Sequence, residues 1–591
     1  MRHLKAYLKI YQKDCILAPL FKMLEALFDL FVPVVVASMI NDGIGNNDRG
    51  LIIRLSLVLV FLALAGLALA FAAQYFAARA ATGITKALRH DLFSHILSLG
   101  APEADRIGAG TLITRMSADL NQVQNGINLF LRLFLRSPFI VFGAAIMAFT
   151  INPEISMIFL AVIAVLSLII FGIMVITSPR YRKNQEKLDQ LTRLARENLT
   201  GVRVVRAFGR EVQEKKRFRE ANSQLVQGQV RVGRLSALLN PLTYVTVNLG
   251  IIAILIFGGD HVDLGILKHG EVVALINYMS QILVELVKLA NLIVQCSRAK
   301  ASMDRVGEIL DTKPSITFAA DIDAAADVSN EKEALEKEVY SAPDEAVRFD
   351  HVSFSYNASG KEALSDISFT AMRGQTIGVI GGTGSGKSTL VSLIPRFYDV
   401  TNGTVEVNGH SVKEFTKQQL ASQIGFVPQK ARLFAGTIRS NLLWGNPKAS
   451  DTQLWEALKT AQAEEFVRGK PKGLDEKVEQ GGRNFSGGQR QRLTIARALA
   501  GTPSILILDD SASALDYATE AALRRALKAL PSDMTVFVVS QRTSSIRHAD
   551  QILVMDDGRL AGCGTHDELL EKCAVYREIH ESQFRKEGKV S

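Results

Sequence analysis

The residues best equipped for chemistry lie in one short stretch, QTIGVIGGTGSGKSTLVSLI, where an apolar run leads into a glycine-rich loop and then into a helical pattern. The loop fits Gly381-x-x-x-x-Gly386-Lys387-Ser388, so Gly381, Gly382, Thr383, Gly384, Ser385, Gly386, Lys387, Ser388 and Thr389 form a candidate phosphate cradle. Each residue type has a reason. Glycines let backbone N–H groups close around phosphate oxygens, and the positive end of the following helix faces them. The Lys387 ammonium reaches the outer phosphates, and the Ser388 hydroxyl is placed to ligate Mg²⁺. Farther on, SILILDD reads as a β-branched strand ending in Asp509, a second oxygen ligand for Mg²⁺ in this class of nucleotide hydrolase.

A loop of this kind needs a strand before it and a helix after it, and the chain around it supplies both. VRFDHVSFSY alternates apolar and polar residues as a half-buried strand does, which opens an α/β domain near residue 346. The chain has 591 residues, too many for a single core, so a second domain is required. The first half reads as a membrane domain. Apolar windows about as long as a bilayer-crossing helix recur at Leu17–Ile40, Leu55–Phe76, Ser137–Ile151, Ile155–Thr177, Leu235–Gly258 and Val272–Cys296. About twenty Lys and Arg fall in 77–128 and 178–234, whereas the connections at 41–50, 151–154 and 258–271 carry only Arg49 and Lys268. By the positive-inside rule the basic segments, and with them both termini, are expected in the cytoplasm.

Charges inside those windows are costly, so Glu25, Asp29, Glu285 and Lys288 are candidates for lining a polar cavity. Mutual neutralisation of Glu285 and Lys288, three residues apart on a helix, is the plainer alternative. Lys and Arg exceed Asp and Glu by 68 to 59, but the excess lies largely in membrane-flanking loops, which argues against nucleic acid as a partner. Cys15, Cys296, Cys563 and Cys573 are scattered without metal-ligand spacing. The cationic, mildly amphipathic first residues read as an interfacial helix. Between about Asp311 and Ala346 an Ala/Asp/Glu/Lys/Ser-rich stretch reads as a linker.

With these motifs in hand, NFSGGQ at Asn484–Gln489, followed by RQRLTIARAL, resembles the signature loop and helix of the ATP-binding cassette (ABC) family. The resemblance runs the length of the chain. It implies an interfacial elbow at 1–15, an all-α six-helix transmembrane domain with long intracellular extensions at 16–310, a linker at 311–345, an α/β P-loop nucleotide-binding domain at 346–582, and a tail at 583–591. It further implies ATP and Mg²⁺ as ligands, Tyr356 stacked on adenine, and Gln429 of GFVPQ as a residue sensing the metal. Ser513–Asp516 (SALD), with Asp516, would form the D-loop. Ser486, Gly487, Gly488 and Gln489 would contact the ATP held by a partner chain, so that two half-transporters form the working unit. Cytoplasmic tips near Gly100–Gly110 and Phe208–Val212 would dock on the cassettes.

Two positions depart from the family pattern. The acid after Asp509 is Asp510 where the family has glutamate, one methylene short of a water in line with the γ-phosphate. Gln541 in FVVSQRTSSIRHAD stands where the family has a histidine, and an amide cannot carry an imidazolium charge. Both affect one ATP site. The pattern resembles the degenerate half of a bacterial heterodimeric exporter, whose partner carries the glutamate and histidine. The expectation is therefore ATP-driven export of hydrophobic or amphipathic compounds across the bacterial plasma membrane, multidrug type, with slow hydrolysis at this chain's own site. A lipid or peptide exporter, or an ATP-gated regulatory or channel-like switch, are the alternatives.

Overall fold

The computed structural model describes residues 2–318, 344–356, 360–511, 514–530 and 533–584. Most of the expected linker, Ser513 of the SALD segment and all but the first residues of the expected tail lie outside them. The chain divides into two compact units, residues 1–97 with 109–312, and residues 98–108 with 313–591.

Among the described residues, six helices are long and apolar enough to cross a membrane: Gln12–Ile44, Arg49–Ser98, Ala109–Ile151, Pro153–Thr200, Glu211–Asp263 and His269–Leu310. Each contains one of the apolar windows and extends beyond it, because the polar flanks continue the helical pattern into water. The second helix buries none of its most apolar window, and Leu57, Phe61 and Phe71 are more than half exposed. Apolar side chains turned outward in this number fit a hydrocarbon surround rather than water.

Inside the unit the packing depends on small side chains, as it must where lipid removes the hydrophobic drive between helices. Ala26, Ala144 and Ala148 are buried beside Phe159, Tyr278 and Met279. A Cβ on Gly270 would come within 2.3 Å of the Ala37 carbonyl oxygen, so the first and sixth helices can approach this closely only at a glycine. The third helix is irregular, with a π-helical turn at Arg115–Asp119 and a break after Leu133, before Arg136–Ile151. That break lies between Arg132 and Arg136, just ahead of the apolar window Ser137–Ile151.

The second unit is built on a six-stranded sheet. Its order is Arg559–Gly564, Gln551–Asp556, Thr376–Gly381, Thr535–Val539, Ile505–Asp509 and Ile424–Val427. The last five strands are parallel and the first is antiparallel. These parallel strands are short runs of Val, Ile and Leu, as expected when both faces are covered. Ile377, Val379, Ile505, Ile507 and Phe537 share one core with the antiparallel sheet that begins at Glu345–Phe354. A second core, around Leu454, Leu458, Leu493 and Ile495, joins the helices Asp451–Thr460 and Gly487–Ala500.

Residues 98–108 group with this unit. They hold the short helix Ala101–Ile107, and the Tyr398 hydroxyl donates to Asp105 at 2.8 Å. The other expected tip, Phe208–Val212, lies in the first unit, with Phe208 75% and Val212 82% exposed.

Candidate nucleotide-binding site

The strand Thr376–Gly381 delivers the glycine loop to the carboxyl edge of the sheet, the usual ligand side of open α/β folds. Close approach fixes the first glycine. A Cβ on Gly381 would lie 2.1 Å from the Met555 carbonyl oxygen and 2.5 Å from Ser385 Oγ. Gly386 is needed for conformation as well as space, since its φ of 98° is left-handed and a Cβ there would meet Leu364 and the Ala363 carbonyl. It caps the helix Lys387–Leu393, which carries Lys387, Ser388 and Thr389.

Lys387 Nζ donates to the Gly381 and Gly382 carbonyls at 2.9 and 2.5 Å. Burial pushes its pKa down, while the Asp510 and Asp509 charges push it back up. Ser388 Oγ donates to Asp509 Oδ1 at 2.9 Å, and Asp509 is 6% exposed. Burial raises the Asp509 pKa; the Ser388 hydrogen bond lowers it, the Asp510 charge raises it and the Lys387 charge lowers it. Two hard oxygens side by side under a phosphate cradle suit Mg²⁺, which takes one or two protein oxygens and fills its octahedron with water and phosphate. Ser388 and Asp509 therefore fit the metal, and the Gln429 side chain stands next to them.

A cavity of about 420 Å³ brings together Tyr356, Thr383, Gly384, Gly386, Lys387, Ser388, Thr389, Gln429, Asp510 and Gln541. Gln429 Nε2 donates to Asp510 Oδ2 at 3.1 Å, so the shortened acid is tied to the metal-side glutamine. Asp510 also adopts a φ of 44°, a left-handed conformation that Asp tolerates better than most residues. The Tyr356 hydroxyl pairs with Thr389 Oγ1 at 3.0 Å, and its ring meets Phe354 and Tyr398 edge-on.

The cavity also has a wall that motif reading missed. Lys361, Glu362, Asp557 and Gly558 line it, Lys361 Nζ pairs with Asp557 Oδ1 at 2.7 Å, and the Gly558 amide donates to the Ser385 carbonyl at 3.2 Å. The available signal was the Asp557-Gly558 dipeptide between two apolar strands, a hairpin marker whose turn buttresses the loop.

Ser486, Gly487, Gly488, Gln489 and Asp516 do not line this cavity. Ser486 caps the helix Gly487–Ala500 through a reciprocal pair, its Oγ accepting from the Gln489 amide and Gln489 Oε1 accepting from the Ser486 amide. A Cβ on Gly487 would meet nothing within 4 Å, which leaves that backbone open to approach. Asp516 caps Tyr517–Lys528, and the Thr519 amide hydrogen bond holds its pKa below the usual range.

Residues 15–286 match the ABC transporter transmembrane region, and residues 364–513 match the family described as ABC transporter. An uncharacterized ABC transporter ATP-binding protein of Mycobacterium tuberculosis is 35% identical over 98% of this chain and 97% of its own length. The chain belongs to the ABC transporters. An ABC transporter ATP-binding protein of Bacillus subtilis, also uncharacterized, is 35% identical over the full length of both chains. A multidrug efflux ATP-binding/permease protein of M. tuberculosis is 33% identical over 98% of this chain but 47% of its own length. Among solved structures, a bacterial Atm1-family ABC exporter with ATP bound superposes with a TM-score of 0.78, covering 99% of this chain and 100% of the other. At 24% identity that likeness establishes the exporter fold. This ABC transporter is a multi-pass membrane protein whose cassette binds ATP and couples its hydrolysis to transport.

Of the charged residues expected at a polar cavity of the membrane unit, Glu285 is 3% exposed and far better partnered than neutralisation by Lys288 alone would make it. Arg136 Nη1 donates to it at 2.5 Å, Ser137 at 2.8 Å and Lys288 at 2.8 Å. Arg136 Nη2 also donates to Asp29 at 3.0 Å, and Lys22 pairs with Glu25 at 2.5 Å.

Proposed function

We propose that this chain is the degenerate half of a two-chain ABC exporter that moves hydrophobic or amphipathic compounds, multidrug type, out across the bacterial plasma membrane. Both termini and both cassettes lie in the cytoplasm. The observation that carries the reading is that Asp510 and Gln541 line the same cavity as Lys387, so one ATP site bears both departures. Lys387 and the loop Gly381–Thr389 hold the phosphates, Tyr356 stacks on adenine, and Ser388, Asp509 and Gln429 attend the Mg²⁺. Asp510 is a methylene too short to polarise the attacking water, and a misplacement near 1 Å costs about 10²-fold in rate. Gln541 offers a neutral donor in place of an imidazolium.

Ser486–Gln489 and Asp516 stand apart from this chain's own cavity, which supports their assignment to a partner's ATP. The multidrug relative supports both the cargo class and the pairing, since this chain spans about half its length. In the mechanism, ATP stays bound at this site as a clamp while the partner's site hydrolyses. Cassette closure then shifts the membrane helices, to the extent that ATP binds the closed state more tightly than the open one. The impaired acid also gives some weight to an ATP-gated switch of a passive pathway; uphill, ATP-dependent uptake into inverted vesicles excludes that reading.

The test is hydrolysis. Alone, the purified chain turns over ATP slowly, and it accelerates at least about tenfold when paired with a half bearing the glutamate and histidine. Asp510→Glu with Gln541→His raises the rate at this chain's site by about 10- to 100-fold. Brisk hydrolysis by the unpaired, unaltered chain overturns the degenerate assignment.

A further inference from the structure

The membrane unit carries an open cavity of about 510 Å³, a volume suited to a drug-sized ligand. It lies between facing stripes of two helices, Asp29, Val32 and Val36 on the first, and Ser280, Gln281 and Val284 on the sixth. The spacing of i, i+3 and i+7 on the first helix, and of neighbours four apart on the sixth, makes each stripe one continuous face. One end of the cavity is charged, and the rest of its wall is mostly apolar.

The charges at that end are unequally satisfied. Glu285 receives three donors, from Arg136, Ser137 and Lys288, and its charge is compensated. Glu25 holds Lys22, with Arg136 3.8 Å away. Asp29 shares Arg136 with these two, and among the described residues no other side chain hydrogen-bonds its carboxylate, which is 45% exposed. Beside it Gln281 donates to the Asp29 carbonyl at a long 3.4 Å, while Gln281 Oε1 is shielded from water and has no partner among the described residues. The wall thus offers one accessible, under-used acceptor, the Asp29 carboxylate. The guanidinium on this wall, Arg136, is 11% exposed; its Nη1 and Nη2 are engaged by Glu285 and Asp29, and its Nε, without a partner among the described residues, is shielded from solvent, so it has little to give an anion.

We propose that this cavity receives amphipathic molecules carrying a protonated primary or secondary amine, with the ammonium N–H groups on the Asp29 carboxylate and the apolar body along Val32, Val36 and Val284. The proposal deepens the exporter reading by naming a cargo class and rests on that reading for its role in transport. A quaternary ammonium has the charge but no N–H to donate, and a carboxylate has neither, so the head group decides affinity. Hydrogen bonds to charged groups contribute about 1.5–3 kcal/mol, which corresponds to a preference of about tenfold or more.

The experiment uses the full-length chain in lipid nanodiscs and three probes with one apolar body: 2-(2-naphthyl)ethylammonium, its N,N,N-trimethyl derivative, and 2-naphthylacetate. Equilibrium dialysis is corrected with empty nanodiscs. The expected result is at least about tenfold tighter binding of the primary amine, loss of that preference in Asp29→Asn, and its retention in Asp29→Glu. Equal binding of the three probes by the unaltered chain overturns the proposal, whatever the variants do; so does a preference that survives in Asp29→Asn. Uptake of the same probes into sealed inverted vesicles holding the chain with its partner half separates the two readings: ATP-driven transport of other compounds without this head-group preference leaves the exporter reading intact and removes the cargo class. The preference without any ATP-driven transport removes the exporter reading alone.

Discussion

The nucleotide cavity and the membrane cavity solve the same problem, holding charge away from water, by opposite means. In the cassette most of the work falls to backbone and neighbouring side chains of one contiguous loop, Gly381–Thr389, with Lys387 folded onto the loop's own carbonyls. In the membrane unit Arg136 gathers Asp29 and Glu285 from two other helices, residues far apart in the chain. The first arrangement is dictated by local geometry and tolerates little change in shape. The second is dictated by charge balance and tolerates little change in sign.

Breaking the charge balance is expected to have the largest effect. Arg136→Leu leaves the buried Glu285 carboxylate with Lys288 and Ser137, and removal of one member of a buried ion pair costs about 3–5 kcal/mol. Thermal melting of the nanodisc-held chain should show a large drop in Tm, and Arg136→Leu with Glu285→Leu should recover much of it, because the buried carboxylate is gone and the charges that lose a partner, Asp29 and Lys288, are 45% and 42% exposed. A single variant as stable as the unaltered chain would break the comparison on the membrane side.

Changing shape comes next. Gly381→Ala pushes a Cβ into the Met555 carbonyl, whereas Gly233→Ala, on a helix of the membrane unit, meets nothing within 4 Å. Titration with a fluorescent ATP analogue should show nucleotide affinity falling by about 10- to 100-fold in the first, the scale of 1.4 to 2.8 kcal/mol of strain, and little change in the second. Equal tolerance at both positions would mean that the loop is not shaped by the strand beside it.

The smallest effect concerns Asp509, whose pKa stands above the ordinary aspartate value of 3.8, chiefly through burial. Mg²⁺ requires the ionised carboxylate. The Mg²⁺-dependent part of nucleotide affinity is therefore present at high pH and declines as pH falls through the raised value, earlier than for an exposed aspartate. Mg²⁺ titrations between neutral and mildly acidic pH should show this decline, and Asp509→Asn should abolish it. An unaltered chain as indifferent to pH as Asp509→Asn would contradict the assigned burial.

The same contrast explains what could be read from the sequence. The phosphate loop, Ser388 and Asp509 were legible because their chemistry depends on spacing along one segment, and the six membrane helices because a bilayer sets a minimum apolar length. Arg136 stands in the sequence only as a charge next to the start of the apolar window Ser137–Ile151. Its three carboxylates come from other helices, and no local pattern specifies which helices face one another. The Lys361–Asp557 pair escaped for a similar reason, since only the sheet brings the hairpin turn to the loop. The Tyr398–Asp105 contact joins residues that no motif relates, although a docking tip in that region was expected.

The Met555 and Gly558 contacts with the phosphate loop also bear on how the protein is made. Gly381 pairs in the sheet with Met555, and Gly558 bonds to Ser385, so the loop leans on residues that leave the ribosome well after it. Contacts between such distant parts of a chain form late and slowly. A nascent polypeptide halted before the hairpin would possess every motif residue of the cradle up to Asp509, yet lack the buttress that shapes it. Nucleotide capture would then mark the emergence of this hairpin.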